Sequence, residues 1–252
     1  MPFPARWPYP FWIAHRGGGR LAPENTLAAL RVARERGYAF AELDVTLSAD
    51  GVAFLLHDER LERTTDGRGA AARRPWAELA VLDAGRWFGA RHRGEPLPTL
   101  DAALDAALEL DLLLNLELKP GAADARRLGR AVAERVAGRW PAERAPAPLL
   151  SSFDPAAVAA AGEAAPGLAR ALLFEALPSG GLDRALALGC RAIGAEHVSI
   201  DRAAIAAAHA VGLAVLAYTV DEPADAERLR SAGVDGLFTD AIDLFDPRGG
   251  SP

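Results

Sequence analysis

The chain has 252 residues, is half hydrophobic and a quarter charged, and carries 24 Gly and 18 Pro, a globular composition that excludes a disordered or collagen-like chain. A net charge of −6, from 28 basic and 34 acidic residues, argues against nucleic-acid binding, which needs a basic face. One cysteine, Cys190, cannot make an internal disulfide, and the Pro-rich N-terminus has no apolar run long enough for a signal sequence or a membrane span. The expectation is a soluble, unprocessed, cytoplasmic protein with no nucleic-acid partner and no membrane span; oligomeric state is left open.

In chain order, short apolar runs alternate with Ala-rich amphipathic segments. Strands are expected at residues 11–16, 40–47, 112–119, 148–153, 169–174, 192–196, 213–220 and 234–239. Helices are expected at 26–36, 100–110, 122–138, 155–165, 181–188, 202–210 and 223–231. Eight strands joined by seven short crossovers imply parallel strands in a closed (β/α)8 TIM barrel, a single domain over residues 1–252. An open doubly wound sheet is the alternative, but no G-x-G-x-x-G follows any strand.

Residues 48–98 break the rhythm. The run 52–57 follows strand 40–47 across only Ser48-Ala49-Asp50-Gly51, too short for a parallel crossover, so the two form a hairpin with an Asp-Gly turn. The segment is read as a small capping insertion after the second strand, at the end of the barrel where active sites sit. Trp76, Trp87 and Phe88 are expected to pack its own small core.

Strand periodicity points Glu42 and Asp44 to one face, and Asn115, Glu117 and Lys119 to one face of the third strand, with leucines opposite. The leucines must meet helices, which leaves the acids for the barrel interior. Three carboxylates without Cys or paired His favour a hard divalent cation, Mg2+ or Ca2+. A four-residue loop sets His57 across from Glu42 and a two-residue turn sets it across from Asp44; both put it on the acids' face. His15 closes the first strand. Two histidines flanking a cation suit a general acid and a general base, while His92, His197 and His209 are read as structural. Arg16 and Lys119 add positive charge for an anionic substrate, phosphate being the natural choice. Lys119 is the single lysine beside 27 arginines, which suggests a place where guanidinium does not serve. Gly17-Gly18-Gly19 offers amide groups to phosphate or merely forms a turn, and Asn25 or Thr26 caps the following helix.

These residues carry a resemblance. His15-Arg16-Gly17 with Pro23-Glu24-Asn25-Thr26, Glu42-Leu43-Asp44-Val45, His57-Asp58, Arg63-Thr64-Thr65-Asp66-Gly67, Leu82-Asp83-Ala84-Gly85-Arg86-Trp87-Phe88, Pro98-Thr99-Leu100 and Asn115-Leu116-Glu117-Leu118-Lys119 resemble the ordered signature of bacterial glycerophosphodiester phosphodiesterases. The match is specific over residues 12–120 and weaker beyond. The resemblance implies hydrolysis of a small glycerophosphodiester substrate to glycerol 3-phosphate and an alcohol. It also implies His15 and His57 as the acid–base pair, Glu42, Asp44 and Glu117 as metal ligands, and Arg16 and Lys119 as phosphate contacts. The nucleophile stays open between water and the glycerol 2-hydroxyl, as does which histidine is the acid. Where the family often has Trp-Thr-Val-Asn this chain has Tyr218-Thr219-Val220-Asp221, with Tyr218 as a substrate-binding wall. The alternatives are a lipid-cleaving relative and a non-catalytic barrel that binds phosphate ligands.

Overall fold

A computed structural model describes residues 7–248, so the first six residues of the Pro-rich N-terminal stretch lie outside the described part. The strands are β1 (Trp12–Ala14), β2 (Phe40–Leu47), β3 (Ala53–Leu55), β4 (Leu113–Leu118), β5 (Leu149–Ser152), β6 (Arg170–Phe174), β7 (Ala192–Glu196), β8 (Ala214–Tyr218) and β9 (Gly236–Thr239). All but β3 are parallel, and β9 returns to pair with β1 through Trp12↔Leu237 and Ala14↔Thr239, while β1 meets β2 at Ala14↔Ala41. This closes the eight-stranded barrel.

The helices are α1 (Leu27–Glu35), α2 (Trp76–Leu79), α3 (Leu100–Glu109), α4 (Ala125–Arg139), α5 (Pro155–Ala164), α6 (Gly181–Ala187), α7 (Arg202–Ala210) and α8 (Pro223–Ala232). Seven are the expected crossovers. Thr26, Thr99, Asp124, Asp154 and Asp201 each accept a hydrogen bond from an amide of the first turn, so these five starts are fixed by local sequence. Thr26, not Asn25, caps α1. Among the described residues no helix is long and apolar enough to cross a membrane.

The strands face two environments. Ala41, Leu43, Val45 and Leu47 of β2 pack outward with Leu114, Leu116 and Leu118 of β4 against the helices. Inside, Phe40 packs with Tyr9, Ile13, Leu149, Leu216 and Phe238 to plug the lower barrel. Above this plug the inward column of β2 turns polar, through Glu42 and Asp44.

The insertion holds β3 and α2, and α2 is only 4 residues long. Its separate core consists of Phe54, Leu56, Leu61, Ala71, Leu79, Ala84 and Leu97. Trp76 joins this core, 5.6 Å from the Phe54 ring. Trp87 does not, for its side chain is 42% exposed and donates its indole N–H to the Ala84 carbonyl.

The hairpin register differs from both expected ones. Val45 pairs with Leu55 and Leu47 with Ala53, and the Ser48 N–H donates to the Val52 carbonyl. The loop is therefore Ala49-Asp50-Gly51, three residues with Gly51 at φ +87°, the left-handed position that such loops require. An odd offset moves every side chain to the other face. Continued as a strand, Leu56 and not His57 would share the acids' face. The ladder ends first: Leu56 N–H donates to the Asp44 carbonyl, Leu56 turns into the insertion core, and His57 leaves the strand altogether.

Candidate active site

Register carries the acids together. In the parallel pair β2–β4, Glu42 lies beside Asn115 and Asp44 beside Glu117. Glu42, Asp44 and Glu117 each offer one oxygen, and these oxygens lie within 4.8 Å of one another. Glu42 and Asp44 are buried and Glu117 is partly so. Burial and the neighbouring Asp44 charge push the Glu42 and Glu117 carboxyls well above the usual carboxylate range.

Compensation is incomplete. Glu42 Oε2 accepts the Arg16 N–H at 2.9 Å, but Glu42 Oε1 is buried with no hydrogen-bond partner. Asn115, 1% exposed, has both amide atoms without a partner, and Ser151 Oγ is in the same condition. Three acids face Arg16, whose Nε is 3.8 Å from Asp44, and Lys119, whose Nζ is 3.2 Å from Glu117 and 3.9 Å from Asp44. A buried cluster of hard oxygen ligands with an unpartnered oxygen fits a divalent cation, which supplies the missing charge.

The two histidines stand just beyond strand ends. His15 follows β1, one residue past the last paired position, and its Nδ1 is 2.8 Å from Asp240 Oδ1. Its Nε2 is 3.9 Å from Glu42. Burial lowers the His15 pKa, but the Asp240 hydrogen bond and the charges of Glu42 and Asp240 outweigh that and raise it to about 9. His57 holds Asp58 Oδ1 at 2.7 Å through Nδ1 and meets Lys119 Nζ at 3.2 Å through Nε2. Burial lowers its pKa, and Arg16 and Lys119 lower it further against the opposing pull of Asp44 and Asp58. The two imidazoles are thus shifted in opposite directions, and each ring is held by Nδ1 and turns Nε2 inward.

A cavity of about 150 Å³ contains this chemistry, lined by His15, Arg16, Glu42, His57, Glu117 and Lys119 on one side. Tyr218, Phe153, Phe238 and Leu173 form the apolar part of the wall; Tyr218 donates its hydroxyl to the Phe174 carbonyl, which fixes the ring. A larger groove of about 620 Å³ shares His57, Glu117, Lys119 and Phe153 with it and runs between the insertion and the loops after β4 and β5.

Every expected site residue therefore meets at one end of the barrel. The glycine run serves the turn: Gly17 and Gly19 donate their N–H groups to the Ala14 and His15 carbonyls, and a Cβ on Gly19 would lie 2.2 Å from the Asp240 carbonyl oxygen. His92, His197 and His209 lie elsewhere, with Arg91, Asp225 and Asp235. Three contributors were not anticipated. Asn25, at φ +58°, bonds Asp44 twice, through Nδ2 to Oδ2 at 2.8 Å and through Oδ1 to the Asp44 N–H at 2.9 Å. Asp58 and Asp240 hold the histidines. Asp240 had a signal: in a closed barrel the last strand borders the first, so a carboxylate after β9 must lie beside a histidine after β1.

Comparisons agree with this geometry. The model of the glycerophosphoryl diester phosphodiesterase family matches residues 15–244. A glycerophosphodiester phosphodiesterase of Caldanaerobacter subterraneus is 32% identical over 228 residues, 90% of this chain and 93% of its counterpart. An Oleispira antarctica phosphodiesterase, solved with the product sn-glycerol-3-phosphate, superposes with a TM-score of 0.89 at 36% identity, covering 94% of this chain and 95% of the other. A glycerophosphodiester phosphodiesterase from Agrobacterium tumefaciens gives a TM-score of 0.79 at 30% identity, covering 94% and 99%.

Proposed function

Since the chain belongs to the glycerophosphoryl diester phosphodiesterase family, we propose that it hydrolyses glycerophosphodiesters to sn-glycerol 3-phosphate and an alcohol, by paired histidine acid–base catalysis beside a divalent cation. Family membership supplies the reaction class, and the product is the molecule bound by the Oleispira relative. The observation that carries the reading is the cluster of three carboxylates, two of which line one small cavity together with both imidazoles.

Glu42, Asp44 and Glu117 would hold the cation, Mg2+ or Ca2+. Bound there, it supplies positive charge to a phosphoryl oxygen as negative charge grows on it. Arg16 and Lys119 bind the phosphate and orient it. One histidine takes the proton of the nucleophile and the other protonates the leaving oxygen, which an alcohol of high pKa requires; water gives glycerol 3-phosphate directly, whereas the glycerol 2-hydroxyl gives a cyclic phosphodiester that water then opens with the histidine roles exchanged. Tyr218 walls the cavity, and the adjoining groove gives the alcohol moiety room. The arrangement is a single-domain barrel with its site covered on one side by residues 48–98.

The test is a panel of glycerophosphodiesters assayed for glycerol 3-phosphate with Mg2+, with Ca2+ and with chelator. Release should depend on metal and return on its addition. Full turnover after exhaustive chelation would remove the cation from the mechanism, and release of glycerol with a phosphorylated alcohol would overturn the product assignment.

A further inference from the structure

His57 lies where no ladder orients it. Backbone pairing of the hairpin stops at the Leu56 N–H on the Asp44 carbonyl, one residue before it. Its ring is held by side chains alone, Lys119 at Nε2 and Asp58, by the shorter contact, at Nδ1, and Asp58 is itself on a loop. Arg63 of the insertion grips that carboxylate from the other side, Nε to Oδ2 at 2.7 Å and Nη2 to Oδ1 at 2.9 Å. The same guanidinium grips Glu24, in the loop between β1 and α1, with Nη1 to Oε2 and Nη2 to Oε1 both at 2.7 Å. Two carboxylates are thus bound two-pronged by one planar fork, a geometry an ammonium cannot reproduce. The Arg63 bonds hold the Asp58 carboxyl well below its usual range, so it stays a charged acceptor for His57. A latch for the insertion alone has other means: β3 pairs with β2, and Glu95 accepts the Ala28 N–H at 2.9 Å.

We infer that Arg63 is a positioning residue for hydrolysis: by fixing Asp58 against Glu24 it sets the His57 ring with Nε2 turned into the cavity. The inference rests on the reading of His57 as a member of the acid–base pair. Misplacing a reacting group by about 1 Å costs on the order of 10²-fold in rate, and a freed Asp58 allows that much. Glu24 also accepts Arg16 Nη1 at 3.0 Å, so the rival role for Arg63 is to position the phosphate-binding Arg16.

A double-mutant cycle separates them: wild type, Arg63→Ala, His57→Ala and the pair, with kcat and KM for one glycerophosphodiester at saturating metal. Arg63→Ala should lower kcat by about tenfold to 10²-fold with KM unchanged, and should cost nothing further once His57 is gone. A full additional loss in the His57→Ala background, or an effect confined to KM, overturns the inference while leaving the histidine reading intact. If His57→Ala itself keeps native kcat, the histidine reading falls and takes the inference with it. Should Arg63→Ala not fold, Arg63→Lys runs the same cycle, since it keeps the charge and one of the two grips. Its kcat should fall as well, and a Lys variant with native kcat would overturn the inference.

Discussion

Strands β2 and β4 turn Glu42, Asp44, Asn115 and Glu117 into the barrel, whereas β6, β7 and β8 turn in Ala171, Ala192, Ala214 and Leu216, which belong to the apolar plug below the cavity. One arc concentrates like charge and unpartnered polar atoms; the opposite arc is an apolar plug. The polar arc is held at a cost to the metal-free fold, and the apolar arc supplies the burial that offsets it. The division is not complete, because Asp240, after β9, orients His15 at the end of the neighbouring β1.

Changes in the polar arc should have the largest effect on activity. Glu117→Gln is expected to abolish hydrolysis while keeping the fold, since it removes a carboxylate from the proposed cation site and relieves a buried charge. Its stability signature has a definite sign. A carboxyl whose folded pKa is raised leaves the folded state with more bound protons than the unfolded one, so metal-free stability falls as pH rises from the ordinary carboxylate range towards neutrality. Added Mg2+ or Ca2+ should restore the Tm of the wild type most strongly at the upper end of that window, and of Glu117→Gln much less. An equal metal-induced rise in both proteins would take Glu117 out of the ligand set.

The histidines come next. His15→Ala and His57→Ala should each lower kcat by on the order of 10²–10⁴. Replacing the alcohol by a phenol of low pKa identifies their roles: the variant lacking the acid should regain much of its rate and the variant lacking the base little. Equal losses on both substrates would reject separate roles.

The smallest effect on activity should come from the apolar arc. Leu216→Ala opens a void in the plug beside Ile13 and Gly236 and should cost about 2–5 kcal/mol of stability. Below its lowered Tm, kcat and KM should stay native. A fall in kcat at temperatures where the variant is fully folded would show that the plug tunes the site, and the comparison would fail.

The acids were legible from sequence because their placement depends only on strand period: Glu42, Asp44 and Glu117 alternate with outward leucines, and one parallel register brings them together. The helix starts were legible because an N-cap is local. The hairpin was not, since a three-residue loop and the turn of Leu56 into the insertion core are decided by tertiary packing. His57 reached the site by a different route from the one its register implied. Asn25 stands in the sequence as a helix-cap candidate within the family signature, and nothing local announces a side chain that reaches Asp44 across 19 positions. The Arg63 clasp joins segments 39 residues apart and has no period at all.

The pairing of His15 with Asp240 spans 225 positions, and β1 has its second neighbour only when β9 arrives. A chain emerging from a ribosome can form β1 to β8 and still present two open sheet edges, with His15 lacking its carboxylate. Ring closure must await a strand 225 positions downstream of β1, the sort of distant contact that slows folding. His15 thus gains its carboxylate only once β9 is in place, and a product truncated ahead of residue 236 lacks the strand that closes the ring.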